Sequence, residues 1–97
     1  MKVDIKTSTN SKKKLMAIFY DDSGKRIKTT HFGASGMSDY TKHKDDERKK
    51  LYLARHSNGK EDWNNYMTAG SLSRWVLWNL PSLQSSIKNY KSKFKLK

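Results

Sequence analysis

The spacing of apolar residues changes along the chain. Val3 and Ile5 alternate with charged neighbours, the pattern of a short edge strand at residues 2–6. The stretch Thr7-Ser8-Thr9-Asn10-Ser11-Lys12-Lys13-Lys14 then offers nothing to bury, so residues 1–14 read as a flexible arm or an edge strand leading into an exposed loop. Leu15, Met16, Ala17, Ile18, Phe19 and Tyr20 make an apolar, β-prone run. Asp21-Asp22-Ser23-Gly24-Lys25 is a turn cluster, and Arg26-Ile27-Lys28-Thr29-Thr30-His31-Phe32 alternates again. Run, turn and alternation predict a β-hairpin over residues 15–32.

Past Gly33 and Gly36 the spacing turns helical. Residues 37–44 are polar and read as a loop. Asp45, Asp46 and Glu47 suit the positive end of a helix dipole and Arg55 and His56 the negative end, which predicts a helix over residues 45–56. Asn58-Gly59 supplies its left-handed cap. A second helix is expected over residues 71–79, where Leu72, Trp75, Val76, Leu77 and Trp78 point nearly all round the axis and call for burial. Pro81 breaks it. With Ser82 as N-cap, a third helix over residues 82–95 places Leu83, Ile87, Tyr90 and Phe94 within about a 60° arc.

These elements define one α+β domain over residues 1–97: a two- or three-stranded antiparallel sheet from the N-terminal third, covered by three helices. So small a sheet does not stand alone. Its apolar face is expected to pack on Leu51, Leu72, Trp75, Ile87 and Tyr90 or their neighbours.

Composition narrows the partners. The chain carries 21 Lys plus Arg against 9 Asp plus Glu, a formal charge of +12 on 97 residues. Self-repulsion of that size destabilises a compact state unless a polyanion or counterions neutralise it. There is no cysteine, which excludes disulfides and thiolate zinc sites. The start lacks the apolar core of a signal peptide, and residues 15–20 are too short to span a bilayer, so the chain reads as not secreted and not membrane-inserted.

Three segments carry a resemblance: His31-Phe32-Gly33-Ala34-Ser35-Gly36-Met37-Ser38-Asp39-Tyr40-Thr41-Lys42-His43-Lys44-Asp45, then Tyr52-Leu53-Ala54-Arg55-His56, then Thr68-Ala69-Gly70-Ser71-Leu72-Ser73-Arg74-Trp75-Val76-Leu77-Trp78-Asn79. In this order they resemble a family of small basic proteins encoded by giant double-stranded DNA viruses of algae and amoebae. The resemblance covers about residues 15–94. It implies a viral protein acting in the virion, the viral factory in the host cytoplasm, or the nucleus, and it carries over no catalytic residue.

The candidate chemistry is electrostatic. Lys88, Lys91, Lys93, Lys95 and Lys97 fill the last ten residues with no acid among them, around Tyr90 and Phe94. With Lys12, Lys13 and Lys14 they are the candidate nucleic-acid contacts, expected to gather on one side of the fold. Tyr90 and Phe94 read as core. Lysine is a point charge that positions on phosphate without reading bases, so the expected binding has little sequence specificity, with DNA ahead of RNA. The alternative is a non-enzymatic minor virion component whose basic faces dock acidic proteins.

Other constellations are thinner. Arg55, His56 and Arg74 could form an anion pocket, although an Arg on an apolar helix more often pairs internally. His31, His43 and His56, with Asp39 and Asp45, are the only set that could bind a metal or exchange protons, and turn and helix caps, a strand end and a helix C-terminus account for them more simply. Glu47-Arg48-Lys49 mimics part of a nuclease motif without its partner strand. Trp63, Trp75 and Trp78 read as core or as one stacking anchor. No cofactor is implied, and the chain reads as a binding protein rather than an enzyme.

Overall fold

Residues 1–20 fold as an antiparallel pair, not as an arm. The computed structural model describes residues 1–56 and 63–97. In it β1 (Lys2–Thr7) pairs with β2 (Lys13–Tyr20), from Lys2 opposite Tyr20 to Thr7 opposite Leu15. The edge-strand alternative is therefore the one realised. The polar stretch between the strands is a tight turn whose small side chains satisfy the backbone. Asn10 Oδ1 accepts from Lys12 N at 3.0 Å, and Ser8 Oγ accepts from Asn10 N at 2.9 Å.

The predicted hairpin is present and longer at both ends. β3 (Arg26–Ala34) pairs antiparallel with β2, giving the sheet order β1-β2-β3. Its turn is built on Asp21 Oδ1, which accepts from the backbone N–H groups of Ser23 and Lys25 at 3.0 and 2.9 Å. Alternation then sorts the side chains. Val3, Ala17, Phe19 and Phe32 lie in the main core, whereas Met16 and Ile18 are buried outside that cluster.

Among the described residues the helical side holds four α-helices and a π-helical turn. α1 (Tyr40–His43) forms inside the predicted loop because Asp39 caps it. α2 (Asp46–His56) follows close to its predicted span; the Asn58-Gly59 cap lies outside the described residues. α3 (Ala69–Leu72) starts earlier than expected, since Thr68 Oγ1 accepts from Ser71 N at 3.1 Å and makes the cap. It then widens into the π-helical turn Ser73–Leu77, closed by Trp78 N donating to Ser73 O at 3.0 Å. That turn breaks the single helix expected over residues 71–79. Leu72, Val76 and Leu77 are buried in the core, with Trp75 and Trp78 half-buried at its margin.

α4 (Leu83–Lys93) is capped by Ser82, and its stripe of Leu83, Ile87, Tyr90 and Phe94 faces the core as predicted. It stops before residue 95 because Lys95 takes a left-handed φ of 55° and a Schellman motif closes the helix. There Leu96 N donates to Lys91 O at 2.8 Å, and the buried Leu96 side chain joins the core. Lys97 then exchanges backbone hydrogen bonds with Met1 and Val3, both at 3.1 Å, and covers the start of β1.

One expected packing contact is corrected. Leu51 is 54% exposed and α2 contributes no buried residue, because the sheet is covered by α3, the π-helical turn and α4. Leu72 and Tyr90 are fully buried there, and Trp75 and Ile87 pack around them.

Gly33 is required where β3 passes this helical layer. Its φ is +78°, and a Cβ at this position would lie 2.7 Å from Leu77 Cδ1. Gly33→Ala is expected to lower stability by about 1–3 kcal/mol. A urea unfolding midpoint unchanged from the parent would contradict this.

Candidate functional site

The loop after β3 is held by a buried ion pair. Lys14 Nζ meets Asp39 Oδ2 at 2.6 Å, with the two side chains 13% and 3% exposed. Asp39 Oδ1 also accepts from Thr41 N at 2.9 Å and from the Thr41 hydroxyl. Burial alone would raise the Asp39 pKa, but the Lys14 and Thr41 hydrogen bonds outweigh it and hold the carboxyl below its ordinary value. Lys14, a candidate phosphate contact by sequence, is thus engaged inside the protein. Lys12 and Lys13 remain exposed.

Beside this pair lies a cleft of about 720 Å³. Lys13, Lys14, Gly33 and Ala34 form one wall with Met37, Ser38 and Asp39. Arg48, Leu51, Tyr52 and Arg55 of α2 form the other, and Phe32, Leu77 and Trp78 line the base. The α2 positions follow i, i+3, i+4, i+7, so one helix face carries all four. Their aromatic neighbours stack on one another. Tyr52 lies parallel to Trp78 at 4.3 Å, with 1° between the ring planes, and stacks on His56 at 4.3 Å; His43 tilts against Trp78 at 5.3 Å.

The anion pocket predicted from Arg55, His56 and Arg74 is corrected in its third member. Arg55 and His56 line the cleft, but Arg74 does not. Its guanidinium lies 4.2 Å from the Trp75 ring and 5.5 Å from that of Trp63, and it donates to Trp78 O at 3.0 Å. Burial lowers its pKa. Arg48 and Lys13 stand in the cleft instead. Arg48 was legible in principle, because it sits two helical turns before Arg55.

The metal candidates are not brought together. His31 Nδ1 is hydrogen-bonded to Ser8 Oγ at 2.6 Å, Asp39 caps α1, and His43 Nδ1 accepts from Asp45 N at 2.9 Å. Asp45 Oδ1 accepts from Glu47 N at 3.0 Å and so caps α2, while His56 stacks on Tyr52. Among the described residues no group of three His, Cys, Asp or Glu side chains could hold a metal ion. The nuclease-like fragment is also divided. Lys49 Nζ donates to Asn79 O at 2.6 Å and lies over the Tyr40 ring, whereas Glu47 is exposed and 3.9 Å from Lys50.

The tail lysines form a separate region. Lys88, Lys93, Lys95 and Lys97 are exposed and Lys91 is half-buried. Lys93 reaches back over Trp75 at 4.4 Å, which places Trp75 between two cations. Lys97 is bonded to the Met1 end of β1, whereas Lys12 and Lys13 lie at the opposite end of the sheet. At the usual strand rise, the eight residues of β2 separate these ends by roughly 23 Å. Lys97 and the pair Lys12 and Lys13 therefore stand at opposite ends of the sheet. Antiparallel pairing puts chain start and chain end together and sends the β1–β2 turn away from them.

The fold and its surface define a small, strongly basic α+β protein with a cation-rimmed cleft between its sheet edge and α2. The chain belongs to a family of unknown function, DUF5754, whose sequence model matches residues 3–56. That span takes in the sheet, the β1–β2 turn and both helical elements up to His56. No curated protein and no solved structure matches the chain. Among the described residues no helix is long and apolar enough to cross a membrane.

Proposed function

We propose that this protein is a non-enzymatic binder of nucleic acid, with little sequence specificity, acting through its lysine-rich surfaces. The observation that supports this most is how little of its charge is neutralised internally. The chain carries a formal charge of +12, yet among ion pairs between described residues only Lys14 and Lys50 contribute a cationic side chain. Lys12, Lys13, Lys88, Lys93, Lys95 and Lys97 are exposed. Lysine ammonium groups displace condensed counterions from phosphate, which gives affinity without base readout. The resemblance to giant-virus proteins supports reading this activity as genome packaging or another virion-associated role, with DNA ahead of RNA.

Titration of labelled duplex and single-stranded DNA at several salt concentrations tests the reading. If about five phosphates are neutralised, log K is expected to fall against log salt with a slope of roughly −4 to −5 on duplex DNA. Reversing Lys91 and Lys95 to Glu is expected to reduce that slope by roughly 2 while leaving Phe94 in the core. Indifference to both DNA forms in dilute buffer would overturn the proposal.

A further inference from the structure

Among the described residues, two of the three large apolar side chains that are exposed, Met37 at 64% and Leu51 at 54%, line the same cleft. Arg48 and Arg55 stand on either side of Leu51 along α2, and neither forms an ion pair with a described carboxylate. Seven residues of helix set the two backbone positions roughly 10 Å apart along the axis. Lys13 of β2 lines the same cleft, and among the described residues the only carboxylate lining it, Asp39, is neutralised by Lys14. The result is an apolar centre between cations, with no competing negative charge among the described residues.

We propose that this cleft is a docking site for an acidic amphipathic segment of a partner protein. Its apolar side chains would cover Met37 and Leu51, and carboxylates one or two turns apart would meet Arg48, Arg55 and Lys13. Charge complementarity selects this occupant. A second copy of the chain brings another +12 and only nine acids to the contact. Nucleic acid suits the cleft less well, because phosphates leave Met37 and Leu51 uncovered and the Tyr52 and Trp78 rings are stacked on each other instead of open to a base. The volume of about 720 Å³ takes several side chains but not a duplex.

The test uses the full chain, labelled peptides with Leu at i and i+4 flanked by Glu, and scrambled peptides of the same composition. The expected result is micromolar binding of the amphipathic peptides, with amide shifts in the NMR spectrum confined to residues 13–14, 33–39, 48–56 and 77–78. Leu51→Ser and Arg55→Glu are each expected to weaken binding about tenfold. The exposed hairpin-turn variant Lys25→Glu is expected to have little effect, which separates local from overall charge. Since α2 buries no residue, the cleft variants should keep the parent circular dichroism spectrum; Arg48→Glu is the substitute if one does not. The proposal fails if scrambled peptides bind equally, if Leu51→Ser leaves affinity unchanged, or if Lys25→Glu matches Arg55→Glu. DNA titration of Leu51→Ser reads the nucleic-acid proposal separately and is expected to match the parent.

Discussion

Tyr90→Ala is expected to remove about 3–5 kcal/mol of folding stability, a large part of the roughly 5–15 kcal/mol that holds a typical domain together. Tyr90 is fully buried, and its ring meets Phe94 edge-on at 5.3 Å. Its hydroxyl donates to Tyr66 O at 2.5 Å, joining α4 to the segment that precedes α3. Alanine removes the ring, leaves a cavity at the centre of the helical layer and strands the Tyr66 carbonyl. Tyr90→Phe keeps the ring and is expected to cost only about 1 kcal/mol. Guanidinium unfolding of the two variants separates packing from hydrogen bonding; equal losses would contradict the assignment. Burial raises the Tyr90 pKa, with the Tyr66 phenol adding to the effect. Its contribution is therefore complete below about pH 10 and declines as pH rises toward the elevated folded value.

Asp39→Ala is expected to destabilise by a similar amount, about 3–5 kcal/mol, because it leaves the largely buried Lys14 ammonium without its counter-charge. It also removes the acceptor that starts α1. The same pair gives an acid-labile step. With the Asp39 pKa lowered in the folded state, its stabilisation is present above about pH 4, the ordinary carboxylate value, and is lost as pH falls through the folded value. Urea midpoints at pH 7 and pH 3 should therefore converge more closely for Asp39→Asn than for the parent chain. A parent-like acid dependence in that variant would show that other carboxylates carry it.

The two variants also mark where sequence reasoning reached and where it stopped. Tyr90 was readable as core because its stripe through α4 depends on local helical spacing, which a sequence displays directly. The hairpin was readable for the same reason, since its apolar run, turn and alternation are neighbours in the chain. Lys14 was misjudged because a third consecutive lysine in a polar stretch looks like surface. Only the antiparallel return of β2 beside the loop after β3 brings it within 2.6 Å of Asp39, 25 residues away. For Arg74 internal pairing, the more frequent fate of an Arg on an apolar helix, is the outcome; which partners it takes, the Trp75 ring and the Trp78 carbonyl, depends on the π-helical turn, and a single wide turn has no strong sequence signal.

By itself, then, the amino-acid order determined the charge, the element types, the α+β class and most of the buried stripe, because these follow from composition and from periods of two and 3.6 residues. Tertiary structure alone decided which cations remain exposed and where they stand. It neutralised Lys14, sent the β1–β2 turn and Lys97 to opposite ends of the sheet, and set Met37 and Leu51 among Arg48, Arg55 and Lys13. Juxtaposition of this kind depends on strand pairing and helix placement between residues far apart in sequence, and no local pattern encodes it.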